Sequence, residues 1–203
     1  AASLPARILA FPLTRLAIGF VAIVLSAVVP GNTGRLIGID PRGPGFALWA
    51  LLTALCVILA YKVLKRWLEC LPDGELPWCA ALGELPAGLL FGFALFSAMV
   101  GLVMVLGGME VLGLRGIGQL WPMLAMAIIS GTLEEVLFRG IVQRQLEAML
   151  GTWAALGLTS ALFGAAHLAN PDATWWSSLA ITLEAGLLLG GAWLYTRRLW
   201  LPI

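Results

Sequence analysis

The sequence is poor in charged side chains and almost free of histidine. Among its 203 residues, 11% are Asp, Glu, Lys or Arg and only one is His, whereas ordinary soluble domains carry about 25% charged residues. A single histidine excludes the zinc-protease motif HExxH, which needs two. The net charge is only +1, and no basic run, phosphate-binding glycine loop or dinucleotide-binding motif is present. We therefore predict no nucleic-acid partner.

Cysteines are also few, and their spacing is not that of a metal site. Cys56 falls within an apolar span, and Cys70 and Cys79 fall in a polar segment that we expect to lie in the cytoplasm, where thiols remain reduced. A zinc site would have to use carboxylates or these distant cysteines. We therefore predict no metal and no cofactor.

Apolar residues dominate the chain instead. They make up 61% of it and predict an all-α fold, a polytopic transmembrane helical bundle. A polar stretch from Lys65 to Glu84, which contains Pro72 and Pro77, predicts a loop on the membrane interface. Six apolar spans can be distinguished, at about Leu16–Val29, Phe46–Leu64, Leu85–Leu106, Leu120–Leu150, Thr152–Ala169 and Trp175–Tyr195.

Basic residues are distributed unevenly between the predicted loops. With the N-terminus in the cytoplasm, eight of them lie at inner ends and three at outer ends. This agrees with the positive-inside rule, so we predict an integral membrane protein with a cytoplasmic N-terminus. The inner group is Arg7, Arg15, Lys62, Lys65, Arg66, Arg144, Arg197 and Arg198, and the outer group is Arg35, Arg42 and Arg115.

Three ionisable side chains, Glu134, Glu135 and Arg139, lie within six residues of each other in the fourth span. Each costs roughly 2.5–3.5 kcal/mol at the centre of a membrane helix, which favours a functional site. Glu135 and Arg139 are four residues apart and share one helical face, with the acid first, the favourable order for an ion pair. Glu134 is turned about 100° away. We expect it to face a cavity, where a carboxylate can act as a general base towards water.

The fifth span contributes Phe163 and the only histidine, His167, which are four residues apart on one helical face. A turn near Gly151 separates the two spans. Glu134 lies 17 residues before this glycine and His167 lies 16 after it. An antiparallel hairpin therefore places them at similar depth, roughly 25 Å from the turn. Alone, a buried ion pair often only joins helices and a histidine often only packs, but the combination favours a site.

Two further polar residues are candidate auxiliary groups. Glu184, in the sixth span, lies at a similar depth and either faces the same cavity or makes a polar contact with a neighbouring helix. Asn170 either contributes a hydrogen bond to the site or only caps a helix. Gly186 and Gly190 form a small-xxx-small pair, which we interpret as a helix-packing motif.

The two motifs resemble those of the CPBP family of intramembrane proteases, which includes type II CAAX prenyl endopeptidases and bacteriocin-processing and self-immunity proteins. The family pattern is EExxxR on one helix and FxxxH on the next. Here these are Glu134-Glu135-x-x-x-Arg139 and Phe163-x-x-x-His167. The resemblance implies N-terminal transmembrane helices over residues 1–119 and a protease core over residues 120–203. The resemblance also implies the family fold, an all-α membrane bundle of about eight helices.

The resemblance implies a metal-independent glutamic endopeptidase of the bacterial inner membrane. Glu134 would activate water with His167, and Glu135 and Arg139 would support the geometry of the site. The partners would be membrane lipid and a membrane-associated or lipid-anchored substrate. The family's later HxxxN motif does not occur in this sequence, either because the chain is trimmed or because this member lacks it. The alternative is a non-catalytic transporter, scaffold or degenerate immunity-type homologue that uses the same charges structurally or for proton coupling.

Overall fold

The computed structural model describes residues 9, 11–72, 74–113 and 116–203; Arg7 and Arg115, used in the charge argument above, lie outside them. Within these ranges there is no strand, and six helices are long and apolar enough to cross a membrane. The predicted all-α, polytopic transmembrane fold is confirmed. The helices are α1 (Pro12–Leu36), α2 (Pro44–Trp67), α3 (Trp78–Val105), α4 (Ile117–Leu150), α5 (Thr152–Ala169) and α6 (Trp175–Thr196).

Two helices extend beyond their predicted limits. Helix α1 continues through Pro30, and α3 begins at Trp78 rather than Leu85, so residues 65–84 are not one continuous loop. A proline removes only one backbone donor, and the Pro30 carbonyl gains a hydrogen bond from Trp49 Nε1 at 2.9 Å. Pro77 directly precedes α3, a position where its missing N–H costs the helix no hydrogen bond.

Helix α4 is the centre of the bundle. It contacts α1, α2, α5 and α6, while α5 and α6 also pack against each other. Helix α3 stands apart, since none of its residues is buried. It is joined to the rest near its first turns, where Trp78 packs against Trp200 at 5.5 Å between ring centroids and Glu84 pairs with Arg198.

The loops define the two ends of the bundle. We refer to the end that carries the α1–α2, α3–α4 and α5–α6 loops as the α1–α2 end, and to the opposite end as the α2–α3 end. Exposed tryptophans mark both ends, with Trp175 and Trp176 at the first and Trp67, Trp78 and Trp153 at the second. Such residues favour the membrane interface. The apolar core is formed by buried residues of several helices and of the C-terminal turn, including Ile23, Val57, Tyr61, Leu76, Val136, Ile141, Trp193 and Leu199.

Candidate active site

Helix α4 changes its winding at the charged motif. It is α-helical over Leu120–Glu135 and π-helical over Val136–Gln143, and π-helical turns are rare and often occur at functional sites. The Gly140 carbonyl accepts hydrogen bonds from Arg144 Nε at 2.8 Å and from the Tyr61 hydroxyl at 3.3 Å. The wide turn is thus stabilised by one donor from α4 itself and one from α2.

Glu135 and Arg139 form the ion pair that their spacing predicts. Arg139 Nη1 donates to Glu135 Oε1 at 2.7 Å, and both side chains are almost completely buried. Arg139 Nη2 also donates to the carbonyl oxygens of Ala185 and Gly186, at 3.2 and 3.3 Å. These carbonyls belong to a second π-helical segment, Thr182–Gly186 of α6. Arg139 therefore joins the wide turns of two helices.

Phe163 lies between Arg139 and His167. Its ring centroid is 4.5 Å from Arg139 Cζ and 4.7 Å from the centroid of the His167 ring. His167 Nδ1 lies 2.7 Å from the Phe163 carbonyl oxygen. Because a carbonyl oxygen can only accept, Nδ1 carries the proton, and Nε2 of the neutral ring remains an acceptor. The histidine is partly buried and starts the short 3₁₀ turn that ends α5.

Glu134 is separate from this ion pair. Its side chain is partly buried and lines a cavity of about 650 Å³ between α1, α2 and α4. His167 and Arg139 are the neighbouring ionisable groups that act on it besides Glu135. Among the described residues, none forms a hydrogen bond or ion pair with the Glu134 carboxylate. Two adjacent carboxylates thus have different surroundings, since one is paired inside the bundle and the other borders a cavity.

A comparison with known protein families gives a match to the segment that contains these residues. The model of the Rce1-like family, the type II CAAX prenyl endopeptidases, matches residues 116–203, which contain both motifs. The match covers 88 of the 203 residues, so it shows what this segment of the chain is similar to. No curated protein and no solved structure matches the chain. The resemblance that the two motifs indicate is confirmed by this match.

The side chains of the two predicted auxiliary residues, Glu184 and Asn170, form no hydrogen bond or ion pair with the residues of this site. Glu184 is exposed, does not line the Glu134 cavity and has no polar partner for its side chain among the described residues. A Cβ atom on Gly186 would point to Ser160 of α5, and a residue two positions earlier points to the opposite side of the helix. Asn170 is exposed in the turn after α5, where its backbone N–H donates to the His167 carbonyl at 3.1 Å, and its side chain neither caps a helix nor reaches the site.

Small residues bring α5 and α6 together beside the site. A Cβ atom on Gly164 would overlap Thr182 and the Ser178 carbonyl, and one on Gly186 would lie 2.9 Å from Ser160 Cβ. The Ser178 hydroxyl donates to the Gly164 carbonyl at 2.7 Å. The packing role predicted for Gly186 is confirmed by these contacts.

Sequence reasoning missed a buried polar cluster at the α2–α3 end. Arg144 Nη2 pairs with Glu69 Oε1 at 2.6 Å, Lys65 Nζ lies 3.3 Å from Glu75 Oε1, and the Tyr61 hydroxyl donates to Glu75. A signal was present in the sequence, because the acidic residues of the predicted 65–84 loop can neutralise basic helix ends. Among the described residues, no three His, Cys, Asp or Glu side chains converge as metal ligands would.

Proposed function

We propose that the protein is an intramembrane glutamic endopeptidase that cleaves membrane-associated or lipid-anchored substrates. The observation that supports this function best is the contrast between the two carboxylates. Glu135 is neutralised by Arg139, whereas Glu134 borders a cavity within electrostatic reach of His167. The match of residues 116–203 to the model of a peptidase family supports peptide hydrolysis as the reaction.

In the proposed reaction, Glu134 takes a proton from a water molecule whose oxygen attacks the carbonyl carbon of the scissile bond. Nε2 of His167 accepts a hydrogen bond from the same water and holds it in place. When the tetrahedral intermediate collapses, the C–N bond breaks and Glu134 returns the proton to the leaving nitrogen. No metal takes part in this scheme.

The other residues of the motif act as positioning residues in this proposal. Arg139 holds Glu135 and the carbonyls of Ala185 and Gly186, so it fixes the stretch of α4 that carries Glu134. Phe163 packs between Arg139 and His167 and sets the distance between α4 and α5. We further propose that the protein lies in a bacterial inner membrane with its N-terminus in the cytoplasm.

The test is cleavage of a farnesylated peptide by the purified protein in lipid vesicles. Since a positioned general base contributes about 10²–10⁴-fold to a rate, Glu134→Gln should lower kcat by that factor. Glu184→Gln is the matched control, because it removes an exposed carboxylate that does not line the cavity, and it should keep its activity. Undiminished cleavage by Glu134→Gln would refute the assigned base, and inhibition of the unmodified protein by a chelator would indicate a metal instead.

A further inference from the structure

The wide turn of α4 directly follows Glu135, so its winding determines where Glu134 points. A π-helical turn joins residue i to residue i+5, whereas an α-helix joins i to i+4. Rewinding Val136–Gln143 as an α-helix would therefore rotate the preceding part of α4 by about 100° and shift it by ~1.5 Å. We propose that Tyr61 of α2 is a positioning residue for the reaction, because it holds this turn in its wide form and so keeps Glu134 at the cavity. The inference rests on the proposed peptidase function and adds to it a residue outside both motifs.

The Gly140 carbonyl is the group through which Tyr61 acts. In an α-helix this carbonyl would accept from the backbone N–H of Arg144, four residues later. That N–H donates instead to the Ile141 carbonyl. The Gly140 carbonyl accepts from two side chains, Arg144 Nε at 2.8 Å and the Tyr61 hydroxyl at 3.3 Å. The donor that the wide winding takes away is thus replaced by side chains, one of which comes from another helix.

Both side-chain donors are fixed by acidic residues of the α2–α3 loop. The Tyr61 hydroxyl shares its proton between the Gly140 carbonyl and the Glu75 carboxylate. Arg144 Nη2 pairs with Glu69 Oε1 at 2.6 Å. Because the loop holds both donors in place, the form of the turn depends on contacts made at the α2–α3 end of the bundle.

The Tyr61 ring reaches the turn because residue 140 is glycine. The ring is completely buried, and a Cβ atom on Gly140 would lie 2.9 Å from Tyr61 Cε2 and 3.0 Å from Tyr61 Cζ. A larger residue would push the ring, and the hydroxyl with it, away from the carbonyl. Tyr61 therefore contacts the turn through its ring as well as through its hydroxyl.

Cleavage kinetics give the first test. Tyr61→Phe keeps the buried ring and removes the hydroxyl, which leaves two buried acceptors with one donor fewer, so we expect kcat/KM to fall about tenfold. Gly140→Ala should lower it at least as much, because the methyl group displaces the ring. Tyr195→Phe is the matched control, since Tyr195 is the other tyrosine of the chain and its side chain is exposed; this variant should cleave normally.

The direction of α4 can be measured without cleavage. In protein whose native cysteines are replaced by alanine, Ser130→Cys and Thr132→Cys each introduce one thiol into α4. Ser130 lines the cavity and Thr132 is buried, so a water-soluble methanethiosulfonate reagent should modify the first thiol roughly tenfold faster than the second. Adding Tyr61→Phe should bring this ratio of rates towards one, whereas adding Tyr195→Phe should leave it unchanged.

An unchanged ratio after Tyr61→Phe would overturn the inference even if cleavage fell, because Tyr61 would then only stabilise the bundle. A lowered ratio with undiminished kcat/KM would also overturn it, since the direction of α4 would not matter for the reaction. Cleavage that survives Glu134→Gln would refute the proposed function but would leave the two thiol rates unaffected. The two failures are therefore distinguishable.

Discussion

Glu134 and Glu135 are neighbours in sequence, but helical geometry separates their environments. Adjacent side chains on a helix point about 100° apart, so one of the two faces α6 and the other faces the cavity. Burial of Glu135 requires a compensating charge, and Arg139 supplies it from the next turn at 2.7 Å. Glu134 remains without such a partner among the described residues, which is the condition that a proton acceptor for water needs.

Removing one member of the buried pair tests this account. Glu135→Ala leaves Arg139 buried without its counter-charge, so we expect the free energy of unfolding to fall by about 3–5 kcal/mol. Denaturation of the purified protein in detergent measures the change. Glu147→Ala is the control, because it breaks an ion pair with the exposed Arg197 and should cost at most about 1 kcal/mol.

The double variant Glu135→Ala/Arg139→Met removes both charges of the buried pair. It should be more stable than Glu135→Ala alone, since no charge is left unpaired inside the bundle. If Glu135→Ala lowers the free energy of unfolding no more than Glu147→Ala does, the Glu135–Arg139 pair is not the buried contact described above.

For single residues, spacing along the chain predicts contacts within one helix but not contacts between helices. The Glu135–Arg139 pair could be predicted because both residues belong to one helix four positions apart. The environment of Glu184 could not, because it depends on how α6 is rotated against α4 and α5. That rotation is set by Gly186 and by the hydrogen bonds of Arg139, which join residues far apart in sequence.

At the level of elements, all six spans could be predicted from apolar length alone. The two π-helical segments could not be predicted, because the spacing of the residues was interpreted with the α-helical period of 3.6 residues per turn. Their carbonyl groups gain donors from Tyr61 on α2 and from Arg139 on α4, contacts that exist only once the helices are assembled. The wide turns are therefore a product of tertiary packing.

Close packing of α5 against α6 gives a prediction for one glycine. Gly164→Ala places a methyl group against Thr182 and the Ser178 carbonyl, and a backbone atom cannot move aside. We expect a loss of about 1–3 kcal/mol in unfolding free energy and a lower kcat, because His167 lies three residues further on. Thermal unfolding and peptide cleavage measure the two effects.

Gly157→Ala, on the same helix, is the matched control. No heavy atom lies within 4 Å of its Cβ position, and alanine favours the helix by roughly 0.5–1 kcal/mol over glycine. This variant should be neutral or slightly stabilising. Equal stability of the two variants would show that α5 and α6 are further apart than described.

At the scale of the whole molecule, the two ends of the bundle carry different polar structures. The α2–α3 end has a buried network in which Arg144, Glu69, Lys65 and Glu75 neutralise one another, and it ties α2 and the α2–α3 loop to α4. The α1–α2 end carries Arg35 and Arg42, neither of which has an acidic ion-pair partner among the described residues. The count of basic residues decides the orientation, because Lys and Arg near helix ends are retained in the cytoplasm whatever the acidic residues beside them. Among the described residues at helix ends, seven basic ones lie at the α2–α3 end and two at the α1–α2 end.

We predict that the α2–α3 end lies in the cytoplasm. Alkaline phosphatase fused after residue 110, in the α3–α4 loop, should be active, because this enzyme matures only outside the cytoplasm, whereas a fusion after residue 71 should be inactive. Fusions to green fluorescent protein should give the reverse pattern. A reversed fusion pattern would contradict the predicted orientation.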